Sequence, residues 1–152
     1  MLFITHLAFT LLFVILLSSL IDNPVLFMII ALIAAALPDI DSPKSFVGRC
    51  FLFRPINFFT RHRGIFHSIL FMIGIGCFIW VIFRPGFYAF LFGYSLHLIM
   101  DCFTRQGVHI FYPFKIRIHG KIKTGGIFEV ISLLVCLFII FLLLVYKLFS
   151  MF

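Results

Sequence analysis

Residues Ile127–Phe149 read IFEVISLLVCLFIIFLLLVYKLF. Glu129 stands near the start of this run and Lys147 near its end, with nothing ionisable but Cys136 and Tyr146 between them. A helix needs roughly 20 such residues to cross the hydrocarbon of a bilayer. Four more apolar runs precede it: Phe3–Leu20, Val25–Leu37, Ile65–Phe83 and Phe87–Cys102. Asp22-Asn23-Pro24 turns the chain after the first, Pro38 ends the second, and Arg84-Pro85-Gly86 closes the third. The first, third and fifth runs reach spanning length. The second and fourth are shorter and are expected to be tilted, partly inserted or buried among the others. The sequence therefore predicts an all-α integral membrane bundle of about five apolar helices, two of them short, in a single domain over 1–152.

Composition points the same way. The chain is 64% hydrophobic and 11% charged, with 24 phenylalanines in 152 residues. Soluble domains are nearer a quarter charged, and one core this small could not hide so much apolar surface. Cys77 and Cys136 lie in apolar runs, Cys50 and Cys102 near loops, and no CxxC pair signals a disulfide framework or a thiolate zinc site. The run Leu2–Ile21 has no Lys or Arg ahead of it and exceeds a typical signal-peptide core, so it reads as a retained helix.

The net charge of +7 reports topology. Lys44, Arg49, Arg54, Arg61 and Arg63 lie in the loop 39–64, and Arg105, Lys115, Arg117, Lys121 and Lys123 in the loop 103–126. Only Arg84 and Lys147 fall on the other side. The positive-inside rule then places both long loops and the N-terminus in the cytoplasm, in a cell or inner membrane. The bilayer is the expected partner, and nucleic acid is not.

The acids are Asp22, Asp39, Asp41, Asp101 and Glu129. Asp22 belongs to the outer turn. The other four, with His6, His62, His67 and His97, fall at helix ends that back-and-forth folding brings to the cytoplasmic face. Charged and imidazole groups at the edge of hydrocarbon are costly unless paired, protonated or metal-bound.

His97 and Asp101 are four apart and share a helical face. Taken alone, they are better explained by an ordinary helix-stabilising pair. In Leu37-Pro38-Asp39-Ile40-Asp41-Ser42-Pro43 the prolines are expected to hold an extended segment, so that Asp39 and Asp41 face one way; a solvated turn is the plainer alternative. His62 and His67 do not suit one continuous helical face. They converge if a helix begins near Gly64, or they are passengers in a headgroup-binding basic segment. His6 and Glu129 open the first and fifth runs, and Glu129 also complements its helix dipole.

Nitrogen and carboxylate donors without thiolates suit divalent ions, zinc first among them and then manganese or iron. In a catalytic arrangement one of Asp39, Asp41 or Glu129 would be the general base. Lys44, Arg61 and Arg63 could hold an anionic substrate, although topology accounts for these three unaided.

The stretches Leu37–Ser45, His62–Ser68 and Gly93–Thr104, with Gly107-Val108, Tyr112-Pro113-Phe114, Thr5-His6 and Glu129, resemble the YdjM-like family of membrane-bound proteins assigned as metal-dependent hydrolases. The resemblance covers nearly the whole chain. It implies a distant relation to zinc-dependent phospholipase C and related nucleases. It also implies that His97 and Asp101 are metal ligands with Asp39, His62, His67 and Glu129, while His6 and Asp41 carry over less directly. Phe66 departs from a small or hydroxylated residue, and Cys102 from a serine. The leading expectation is a hydrolase of phosphoesters; a site at the cytoplasmic headgroup level favours a lipid or lipid-linked substrate. A metal or ion transporter and a non-catalytic metal-stapled membrane protein are the alternatives.

Overall fold

Helix α1 spans Phe3–Leu17 and ends in a 3-10 turn over Ser18–Leu20. The computed structural model describes residues 1–41, 64–114 and 116–150. Helix α2, Pro24–Ala36, begins with Pro24 in its first turn, and the Asn23 side chain accepts from the Leu26 amide at 3.1 Å. Proline costs least in a first turn, and Asn satisfies an otherwise orphaned donor. Helices α3 (Ile69–Ile82), α4 (Arg84–Cys102) and α5 (Ile127–Phe149) follow. No strand occurs among the described residues; the bridges Thr104–Ile122 and Val108–Ile118 stand alone in the loop between α4 and α5.

Packing runs α5–α1–α2–α4–α3, with α1 also touching α4. The closest approach is between α2 and α4, where a Cβ added at Gly93 would lie 2.0 Å from the Ala31 carbonyl oxygen. Ala31, Ala34 and Ala35 on one side and Ala89 and Phe90 on the other are buried. Small residues let two backbones meet closely where lipid provides no hydrophobic drive between helices. Helix α5 packs on α1 through Cys136 and Ile140 and leaves most of its surface exposed, as a lipid-facing helix should.

Four expectations change. The segment after Pro38 is not extended: a 3-10 helix over Leu37–Asp41 continues α2. Proline's φ of about −65° suits a helical turn as well as an extended chain. This continuation makes Pro24–Asp41 an 18-residue candidate span beside Phe3–Leu20 and Ile127–Phe149, so the second run is not short. The third run is the shorter one. Ser68 caps α3, accepting from the Phe71 amide at 3.2 Å, and Ile65–His67 forms a separate 3-10 turn, leaving α3 with 14 residues. Finally, Arg84-Pro85-Gly86 is the first turn of α4 rather than a loop, and the Arg84 guanidinium lies 5.2 Å from the Trp80 ring.

Candidate metal centre

One end of the bundle gathers the start of α1, the 3-10 extension of α2, the turn before α3 and the end of α4. Each element delivers donors. His6 comes from the first turns of α1, Asp39 and Asp41 from the extension, His67 from the turn, and His97 and Asp101 from α4. All six are buried; Asp39, at 8% exposure, is the most accessible and the others are at or below 1%. Asp22, as expected, is exposed in the turn at the opposite end. Lys147, whose ammonium donates to the Ser18 hydroxyl, is also at that end.

Asp101 is the hub. Its Oδ1 lies 3.4 Å from His6 Nε2 and accepts from the Met1 ammonium at 2.5 Å. Its Oδ2 lies 3.7 Å from His67 Nε2 and 3.9 Å from His97 Nε2. His67 Nδ1 faces Asp41 Oδ2 at 3.5 Å. The His6 and His97 rings stack with centroids 3.9 Å apart. His6, His97 and Asp101 form one group of donors within 4.8 Å of one another, and Asp39, His67 and His97 form a second.

His97 carries the clearest orientation. Its Nδ1 donates to the Ala35 carbonyl oxygen at 2.7 Å. A carbonyl only accepts, so the proton sits on Nδ1 and Nε2 presents its lone pair. That carbonyl lies in the last turn of α2, three residues before Pro38, which has no N–H to offer it. Among the described residues, Nε2 of His97 and both nitrogens of His6 are buried without a hydrogen bond.

These features fit a divalent ion. Two donors bound tetrahedrally to zinc at its usual lengths sit about 3.3 Å apart, whereas a direct N–H···O bond is about 2.9 Å. The imidazole–carboxylate separations of 3.4–3.9 Å around Asp101 lie on the ion-sharing side. A backbone carbonyl fixing the distal nitrogen of a histidine is the usual support for a metal-binding imidazole.

Glu129 is engaged differently. Its Oε1 accepts from the Leu2 amide at 2.5 Å and its Oε2 from the Gly125 amide at 2.6 Å, and it lies in neither donor group. It fastens the start of α1 to the start of α5. His62, Lys44, Arg61 and Arg63, together with Cys50, fall outside the described residues. Among the described cysteines, Cys77, Cys102 and Cys136 are free.

Sequence reasoning missed three contributors. The Ala35 carbonyl and the Met1 ammonium are backbone groups with no residue signature. Tyr94, whose hydroxyl donates to the Phe66 carbonyl, ties the His67 turn to α4; a lone tyrosine in an aromatic-rich run gave no warning of it.

The family profile described as YdjM inner membrane protein matches residues 1–151. The uncharacterized protein YvsG of Bacillus subtilis is 32% identical over 114 residues, covering 70% of this chain and 71% of that one. The inner membrane protein YdjM of Escherichia coli, and likewise that of Shigella flexneri, is 32% identical over 92 residues, covering 55% of this chain and 47% of its own. The matched stretch is thus about half the length of those two relatives. No solved structure matches the chain. With residues 1–151 matched and three helices long and apolar enough to cross a bilayer, the chain is a membrane protein that belongs to the YdjM inner membrane protein family.

Proposed function

We propose that this protein is a membrane-embedded, metal-dependent hydrolase of phosphoester bonds, acting on a lipid or lipid-linked phosphate at the cytoplasmic face. The observation that carries the reading is His97, with Nδ1 held by the Ala35 carbonyl and Nε2 directed into a buried cluster of His6, His67, Asp39, Asp41 and Asp101. Zinc best suits these donors, and His62, outside the described residues, would be a further ligand. A bound divalent ion would supply Lewis acidity toward a phosphoryl oxygen.

The remaining work falls to side chains. Asp39 is the most accessible acid of the cluster and takes the role of general base, because a base must reach the proton it removes. Asp41 holds His67 in orientation through the 3.5 Å approach. Glu129 fixes the His6 end of α1 by its two backbone bonds. Lys44, Arg61 and Arg63 would hold the substrate's negative charge.

Near-complete burial of the histidines favours one other reading, a closed metal staple with no chemistry. A transporter fits less well, because its site belongs near the bilayer midplane and this cluster sits at helix ends. Purified protein in lipid nanodiscs should bind zinc and cleave a phosphodiester or phosphomonoester lipid. Asp39→Ala and His97→Ala should each lower the rate by at least about 100-fold while inserting normally. Zinc binding with no turnover would leave the staple, and metal-driven flux in proteoliposomes would establish the transporter.

A further inference from the structure

The loop between α4 and α5 carries a second surface, separate from the metal centre. It is fixed rather than slack. Val108 and Ile118 exchange backbone bonds at 2.9 and 3.0 Å, the Arg105 amide donates to Ile122 at 2.8 Å, and the Ile69 amide of α3 donates to Ile110 at 2.9 Å. Its tip turns through Tyr112→His109 and Phe114→Phe111 amide–carbonyl bonds of 3.0 and 2.9 Å.

That rigid tip holds apolar rings outward: Phe111 is 48% exposed, Tyr112 41% and Phe114 69%. From 103 to 126 the sequence contains five basic residues and no acid. Arg105, Arg117, Lys121 and Lys123 are all exposed. Two of the cations are splayed by backbone: Arg105 Nε donates to the Lys121 carbonyl at 3.0 Å, and Arg117 Nε to the Gln106 carbonyl at 2.7 Å. The loop runs straight into Ile127, the first residue of the candidate span α5, so it lies where the bilayer surface must be.

Aromatic rings at the level of the headgroups are stable where one edge is wet and the other apolar. Cations beside them select negative over zwitterionic lipid. We propose that the 103–126 loop is an interfacial surface for anionic phospholipid headgroups, with Phe111 and Phe114 entering the headgroup–acyl boundary and Arg117, Lys121 and Lys123 engaging phosphates. Its effect is to surround the protein with anionic lipid on the face that carries the metal centre, whatever that centre does.

The test uses a single tryptophan at the tip. Trp80→Phe/Phe114→Trp protein is reconstituted into phosphatidylcholine bilayers containing the same minor fraction of brominated phosphatidylglycerol or brominated phosphatidylcholine. The anionic quencher should be at least about two-fold more effective. That excess should fall in Lys121→Gln/Lys123→Gln protein and in high salt. Phe111→Trp in the same background repeats the measurement at the second ring if the first variant folds poorly. Equal quenching by the two lipids, or none by either, would overturn the proposal.

Discussion

Gly93→Ala tests whether helix packing sets the candidate metal centre. The added Cβ would sit 2.0 Å from the Ala31 carbonyl oxygen, 2.7 Å from its carbon and 2.9 Å from its Cα. All three are backbone atoms, so no side-chain rotation relieves the contact. Restoring even 3.0 Å to that oxygen requires α2 and α4 to separate by about 1 Å. His97 lies one helical turn beyond Gly93, and its Nδ1 bond to Ala35 spans the same crossing at 2.7 Å. Moved apart by that amount, the pair would stand near 3.7 Å, beyond hydrogen-bonding reach.

Overpacking alone should cost about 1–3 kcal/mol of stability. Losing the bond that orients a ligating imidazole should weaken metal binding by about 10–100-fold. The assay is zinc affinity by chelator competition in detergent micelles, with thermal unfolding measured in parallel. Gly74→Ala is the control, because its Cβ meets nothing within 4 Å, and it should leave affinity unchanged. Wild-type zinc affinity in a folded Gly93→Ala protein would refute the idea that the α2–α4 approach aims His97.

Chelation of the metal should lower the melting temperature, and zinc at about 100 times its dissociation constant should restore about 2.7 kcal/mol; an indifferent melting curve would argue against a bound ion. Glu129→Ala should destabilise the protein by about 1–3 kcal/mol, because two backbone amides lose the bonds they make to a buried carboxylate. Glu129→Gln should recover part of that loss. Zinc affinity in both should fall far less than in His97→Ala, and an equal fall would make Glu129 a ligand after all.

Much of the site was legible because it rests on local spacing. The i, i+4 pair His97–Asp101 needs only a helix, and its nitrogen and oxygen lie 3.9 Å apart. The gathering of His6, Asp39, Asp41 and His67 follows from folding apolar runs back and forth. The conformation at Asp39–Asp41 did not follow, because proline's φ is common to extended and helical turns and ψ is decided by packing. The length of α3 was readable in principle from Ser68, a good N-cap. The Ala35 carbonyl was not, since it depends on the register of two helices; Gly93 opposite Ala31 is the nearest thing to a signal. Glu129 was legible as a helix-start acid, but its partners are amides that any residue would supply.

The hub at Asp101 also has a consequence for biogenesis. His6, Asp39 and Asp41 belong to the first two helices, while the groups they meet lie far along the chain: Asp101 for His6, nearly a hundred residues away, and His67 for Asp41. During insertion the α1–α2 hairpin therefore enters the membrane carrying polar groups that meet His67, His97 and Asp101 only when the later segments arrive. Such groups keep their helices near water and discourage deep, final burial. The hairpin should stay shallow and loosely paired until α4 docks against Ala31–Ala35. Closure of the bundle and assembly of the cluster would then be a single late event, with α5 added afterwards and latched through Glu129.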